Sequence, residues 1–292
     1  MTPLLRPGNS NCGGCGMSSA LQLFGRALEG QEVQLVVPAS CGAVMAGPFP
    51  FAAVGAPTVM STFASAAAVA TGLARVARMN GEATRVVCWA GDGGTYDIGK
   101  ATLSAAAERN EDVLYVCYDN EVYGNTGGQR SSATPAGAST TSTPGGKREE
   151  KKDILGILAA HRIPYAASIS LAHADDGLRK MRRALDLGGF RFLHLLCPCP
   201  TGWKSEPALG IELVRLAVRS GLFPVLEIEE GRRLRVSVEP DFSMEALELY
   251  LSLQRRFQRS GLSAADLRPS IDRHWRELRA RSGRIVPAER AR

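Results

Sequence analysis

Residues 91–99 read GDGGTYDIG, and residues 118–131 read YDNEVYGNTGGQRS. Each stretch follows an apolar run, 86–90 and 113–118, with the length and composition of a buried strand. Asp92 sits in the glycine turn that closes the first run, Asn120 closes the second, and 27 residues lie between them. The helical pattern at 98–109 makes the pair a strand–helix–strand unit, hence parallel strands. Both polar residues then stand at carboxyl ends of strands, where open α/β sheets bind ligands. A carboxylate, an amide oxygen and closely approaching glycine backbone suit a diphosphate carrying Mg²⁺. That ion takes hard oxygen ligands in octahedral geometry and shares them with phosphate.

The alternation continues on either side. A helix is expected from near Met17, capped by Ser18 or Ser19, then a strand at 34–37 and an Ala-rich helix at 62–79. Downstream come a helix (152–161), a strand (165–170), a helix (174–187) and a strand (192–197). Runs 223–228 and 234–238 flank Glu230 and Gly231 as a hairpin, followed by two amphipathic helices and a frayed end. The pattern predicts an α/β fold with a mostly parallel sheet flanked by helices, plus a C-terminal hairpin and helical extension. Residues 1–205 are read as the main domain and 206–292 as the extension. Residues 124–147 have no hydrophobic periodicity, and so long a segment inside a domain is expected to be an ordered loop over a cofactor.

At 292 residues, 45% of them hydrophobic, the chain can bury a large core. No stretch reaches the ~18 uninterrupted apolar residues of a membrane helix, and the Ala-rich run carries Arg75. The N-terminus, MTPLLRPGNSNC, lacks the parts of a secretory signal, so a cytoplasmic location is expected. Charge is uneven: residues 255–292 hold eleven Arg and four acids, a net of +7, against −1 for the rest. That segment is either a solvated helix and tail or a docking surface for an acidic partner. Nucleic acid is not indicated, because neither interleaved aromatics nor a reading motif accompanies the charge. His161, His173, His194 and His274 are scattered on helix and strand patterns and are expected to pack rather than act as bases.

The seven cysteines divide by context. Cys88 and Cys117 lie inside apolar runs as small core residues, whereas Cys12, Cys15, Cys41, Cys197 and Cys199 lie in Gly/Pro/Ser-rich segments suited to ligands. Disulfides are not expected in a cytoplasmic chain. Four thiolates suit Zn²⁺ or an iron–sulfur cluster, and softness alone does not separate the two.

The GDG turn followed at this distance by Asn resembles the thiamine diphosphate signature. The resemblance implies a thiamine diphosphate-binding fold with Mg²⁺ on Asp92, Asn120 and the Val122 carbonyl. It also implies that Gly91, Gly93, Gly94, Tyr123, Gly124 and Thr126 line the cofactor. The second motif half resembles the pyruvate-type 2-oxoacid:ferredoxin oxidoreductases, with Asn125 two residues after Tyr123. A GK…KKD segment is matched by Gly146, Lys147, Lys151, Lys152 and Asp153. The likeness runs from about Gly8 to the CPTGW that ends at Trp203, and Gly124 stands where relatives are commonly bulkier. It implies Asn125 as a catalytic residue beside thiazolium and substrate. It further implies a [4Fe–4S] cluster on Cys12, Cys15, Cys41 and Cys199, with Cys197 spare.

The implied activity is CoA-dependent oxidative decarboxylation of a 2-oxo acid, pyruvate first, with electrons passing through the cluster to ferredoxin. Oxalate, phenylglyoxylate, 2-oxoglutarate or a branched-chain 2-oxo acid are alternative substrates. A cluster-free thiamine decarboxylase or synthase, and a zinc-stabilised interaction module, are alternative functions. The Glu that activates thiamine belongs in this family to the pyrimidine-binding domain. The chain is therefore expected to be a β subunit that needs an α subunit, with γ and δ subunits carrying further clusters.

Overall fold

Six strands run parallel, and helices cover both faces of the sheet they help make. The computed structural model describes residues 3–47 and 52–282. Its strands are β1 (Val33–Pro38), β2 (Thr58–Ser61), β3 (Arg85–Gly91), β4 (Leu114–Asp119), β5 (Tyr165–Ser170), β6 (Arg191–Leu196), β7 (Val225–Glu229) and β8 (Arg233–Val238). They form one sheet in the order β2-β1-β3-β4-β6-β5-β7-β8. Neighbours among β1 to β6 run parallel, while β7 pairs antiparallel with β5 and β8 antiparallel with β7. Every residue of β4, β5 and β6 is buried, as expected of strands covered on both sides.

The helices are α1 (Gly16–Ala27), α2 (Cys41–Ala46), α3 (Ala66–Met79), α4 (Lys100–Glu108), α5 (Ile154–Ala160), α6 (Ala174–Asp186), α7 (Pro200–Trp203), α8 (Gly210–Arg219), α9 (Met244–Ser252) and α10 (Ala264–Ser282). On one face α1, α2 and α6 enclose Phe24, Trp89, Met181 and Leu193. On the other α3, α4, α5 and α8 to α10 enclose Tyr115, Phe192, Val214 and Trp275. The hairpin thus extends the main sheet, and α8 to α10 complete one of its faces. In α10, Leu267, Ile271, Trp275 and Leu278 are buried at helical spacing. The expected frayed end concerns residues 283–292, which lie outside the described residues. Among the described residues no helix is long and apolar enough to cross a membrane.

Several boundaries differ from the sequence expectation. Neither Ser18 nor Ser19 caps α1: its N-cap is Cys15, because the Pro198 carbonyl takes the Gly16 amide at 2.9 Å and starts the helix there. Ser18 Oγ instead accepts from Asn11 Nδ2 at 2.6 Å. The helix expected from Thr62 begins at Ala66. The segment expected to turn helical at Ile98 is already wound from Gly93, as one π-helical turn over Gly93–Asp97. Such turns often mark functional positions. Residues 124–153 contain neither helix nor strand, yet the segment is stitched from within. Lys147 Nζ donates to the carbonyls of Thr134, Ser132 and Glu150 at 2.6, 3.1 and 3.2 Å.

Candidate active site

Four adjacent central strands, β1, β3, β4 and β6, end side by side. Just past those ends lie Cys41, Asp92, Asn120 and Cys199, in that order across the sheet. Two oxygen ligands therefore stand between two thiols. Parallel pairing places all four at one edge, and no single segment of sequence shows their order.

Asp92 and Asn120 meet. The Asn120 side-chain oxygen lies 2.8 Å from both Asp92 Oδ1 and the Val122 carbonyl, three acceptors facing one another. In the bare chain, rotating the amide would replace that oxygen with a donor. A cation between the three removes the need. Neighbouring ligands of an octahedral Mg²⁺ with bonds of about 2.1 Å stand about 3 Å apart, so the residues fit this ion. Asp92 is 1% exposed, and its Oδ2 accepts from Ser131 Oγ. Burial pushes its carboxyl well up, and the neighbouring Asp119 carboxylate adds to the rise. A divalent cation at this point reverses that balance. The turn after β3 needs a glycine at position 93, where a Cβ would fall 2.2 Å from the Tyr123 ring. Tyr123 crosses the turn to give its hydroxyl to Asp97 at 2.8 Å.

Behind this pair lies a buried charge network that the sequence reading did not identify. Asp119 Oδ2 accepts from Lys151 Nζ at 2.6 Å, His194 Nε2 at 2.7 Å and the Tyr96 hydroxyl at 3.1 Å. Glu121 takes Lys151 at 2.8 Å and Arg256 at 2.7 Å. Burial alone would raise the Asp119 pKa, but Lys151 and His194 outweigh it and hold the carboxyl below its ordinary range. The available signal was the acid–amide–acid run Asp119-Asn120-Glu121 at the end of an apolar strand, since buried carboxylates demand cations. The lysines of GK…KKD therefore act inside the fold. Lys147 ties the loop, Lys151 neutralises two carboxylates, Lys152 reaches the Tyr96 carbonyl at 2.5 Å, and Asp153 caps α5. Replacing Lys151 with Met is expected to cost about 3–5 kcal/mol, because two buried carboxylates lose their shared cation. Denaturant unfolding of the ligand-free variant measures this.

A tight turn carries the remaining motif residues. Tyr123 N donates to Gln129 O and Gly128 N to Tyr123 O, both at 2.9 Å. Asn125 and Thr126 are exposed at its tip. Thr126 Oγ1 bonds Gln129 Oε1 at 2.5 Å, while Asn125 forms no side-chain hydrogen bond among the described residues. Among the described residues neither side chain hydrogen-bonds Asp92 or Asn120. Gly124 lies against the thiols: a Cβ there would be 3.5 Å from Cys41 Sγ and 3.8 Å from Asn120 Nδ2.

The cysteines of the loops act on one another electrostatically. The Cys41 thiol is pushed up to about 11, mostly by burial, with Cys199, Cys15 and Cys12 contributing. Cys199 is likewise raised to about 11, chiefly by burial, against which the Gly202 amide it accepts at 3.3 Å pulls, while Cys15 and Cys12 contribute to the rise. Burial also raises Cys15, against which the amides of Met17 and Ser18 pull. Cys197 belongs instead to the apolar core at 0% exposure. Among the described residues, no three His, Cys, Asp or Glu side chains are arranged to hold a single metal ion. Four free thiols at the ends of elements, with the Gly202 amide aimed at Cys199 Sγ, are by their chemistry a donor set that suits an iron–sulfur cluster.

The chain is similar to known proteins. Residues 41–195 match the family model of the thiamine pyrophosphate enzyme, C-terminal TPP binding domain. The chain is 43% identical over 262 residues to the ketoisovalerate oxidoreductase subunit VorB of Pyrococcus abyssi, covering 86% of this chain and 84% of that one. It is 41% identical over 282 residues to the pyruvate synthase subunit PorB of Methanothermobacter marburgensis, covering 94% and 97%. The chain belongs to the β subunits of the 2-oxoacid:ferredoxin oxidoreductases. As such a β subunit it carries a thiamine diphosphate-binding domain and is part of a multi-subunit oxidoreductase. A solved 2-oxoglutarate:ferredoxin oxidoreductase from Magnetococcus marinus shares the fold, with a TM-score of 0.60 at 23% identity over 74% of this chain and 80% of that one.

Proposed function

We propose that this β subunit holds Mg²⁺ and thiamine diphosphate on Asp92, Asn120 and the Val122 carbonyl, and a [4Fe–4S] cluster on Cys12, Cys15, Cys41 and Cys199. With its partners it carries out CoA-dependent oxidative decarboxylation of a 2-oxo acid, pyruvate first. The observation that carries the reading is the order of groups along the sheet edge, with oxygen ligands between thiols. Bound there, thiamine diphosphate supplies the carbanion chemistry of decarboxylation, and the cluster accepts the electrons released.

The chain's own residues bind and orient. Asp92 supplies charge, Ser131 fixes the carboxylate rotamer, and the 93–97 turn lets backbone approach the diphosphate. Asn125, exposed and unbonded at its turn, is free to meet the substrate. The balance is one 2-oxo acid anion and CoA thiol giving acyl-CoA, CO₂ and a proton, with the two electrons from the broken carbon–carboxylate bond leaving singly to ferredoxin. An α subunit supplies the pyrimidine-binding half and its Glu, and γ and δ subunits carry electrons onward, in the cytoplasm.

A branched-chain substrate is the second reading, favoured by the likeness to VorB. The test is ferredoxin reduction by the co-expressed complex, with pyruvate against 3-methyl-2-oxobutanoate, beside iron and thiamine analysis. CoA-dependent reduction by an iron-containing complex is expected, with none by this chain alone. An iron-free complex, or turnover by the chain alone, overturns the proposal.

A further inference from the structure

The turn bearing Cys199 is also bonded to the Mg²⁺ side of the site. Cys199 caps α7, and four residues later Trp203 donates its indole N–H to the Asn120 carbonyl at 2.9 Å. Between them, Gly202 packs so closely on Val122 that a Cβ would fall 2.5 Å from Val122 Cγ1. One four-residue turn therefore touches a thiol, the carbonyl of Asn120 and the side chain of Val122.

The turn is held from the far side by the C-terminal segment. Arg256, 2% exposed, lies 4.4 Å over the Trp203 ring and 4.9 Å from the Phe257 ring. Its guanidinium grips Glu121 at 2.7 Å, the Tyr250 hydroxyl at 3.0 Å and, through Nε, Gln254 at 2.9 Å. Glu121 is the residue between Asn120 and Val122, so Arg256 braces both the ligand loop and the ring that bonds it. A buried arginine donating to a carboxylate and an acceptor hydroxyl while stacked on an aromatic face has little freedom to move. Residues 256 and 121 are 135 positions apart, and only the fold joins them.

We propose that Trp203 and Arg256 are positioning residues that couple the two cofactor sites, so that filling the Mg²⁺–thiamine diphosphate site alters the environment of the cluster through α7. The inference rests on the function proposed above. Coupling of this kind is reciprocal: what the diphosphate site does to the cluster, the cluster's state does to diphosphate affinity.

The experiment uses the assembled complex stripped of thiamine diphosphate and Mg²⁺, with the cluster retained and dithionite-reduced. Adding both ligands to the wild type is expected to change the electron paramagnetic resonance spectrum of the cluster borne by this subunit. In Trp203→Phe, which keeps the ring under Arg256 but loses the N–H, iron content should stay unchanged. The spectral response should vanish, and thiamine diphosphate should bind about five-fold more weakly, the scale of one neutral hydrogen bond. If W203F fails to accumulate, Arg256→Lys decides, since it keeps a cation but loses the stacked fork, and its response should shrink. An unchanged response in the variant, or no response in wild type that holds both cofactors, overturns the coupling alone. Wild type lacking iron or thiamine diphosphate overturns the function reading, and the coupling with it.

Discussion

Asp92→Asn should lower the affinity of the assembled enzyme for Mg²⁺ and thiamine diphosphate by about a hundred-fold or more, and take 2-oxo acid oxidation to background. Asp92 supplies the one formal charge among the three converging oxygens. A neutral amide of the same shape keeps the Ser131 contact and removes that charge. The ligand-free protein should not suffer. Its Asp92 carboxylate is buried beside Asp119, and both burial and that neighbour disfavour its charge. The variant should therefore melt no lower than wild type without ligands, while losing the rise in Tm that ligands produce in wild type through mass action. Thermal melts of the complex with and without Mg²⁺–thiamine diphosphate measure both halves. A variant whose Tm rises as far as that of wild type would show that the cation is held elsewhere.

That opposition between metal binding and bare-chain stability explains what the sequence made legible. Residues serving a ligand rather than the core break local rules, and such breaks are visible in one dimension. An acid in a glycine turn after β3 and an amide after β4 have no packing reason to be there. The strands β3 to β6, the hairpin and the long irregular loop were readable for the complementary reason, since their apolar runs or lack of periodicity leave little choice. Helix α8 was not, because Gly210 opens it behind the Pro-containing stretch 207–209, where breaker residues mask a helical pattern. The order of Cys41, Asp92, Asn120 and Cys199 was hidden as well, because it depends on β4 pairing with β6 rather than β5.

Arg256 shows the limit most plainly. In sequence it is one of eleven arginines in a basic segment, with two readings on offer, solvated face or docking surface. In the fold it is buried and paired with Glu121, while Arg268, Arg273 and Arg279 bond Asp272, Glu150 and Glu239. Charge density in one dimension cannot separate an arginine that faces water from one that neutralises a buried carboxylate far along the chain.

Cys41→Ser should remove the cluster and reduce 2-oxo acid-driven ferredoxin reduction by several orders of magnitude, while thiamine diphosphate binding persists. A serine hydroxyl is a far weaker ligand for iron than a thiolate, and a cubane is held by about four thiolates. Cys41 also sits at the start of α2, beside Gly124, just past the end of β1, the strand next to the β3 whose end carries Asp92. Cys197→Ala is the control that gives the comparison its force. Cys197 is as close in sequence to the CPTGW turn as Cys199 is, but its side chain lies in the apolar core. Losing its sulfur should cost roughly 1 kcal/mol of packing and leave about four iron atoms per β subunit and the cluster's visible absorption in place. Iron analysis and spectra of the two variants decide the matter together. Equal iron loss in both, or retention in both, would contradict the assignment of Cys41 and Cys199 and reopen the choice between a cluster and thiols that bind nothing.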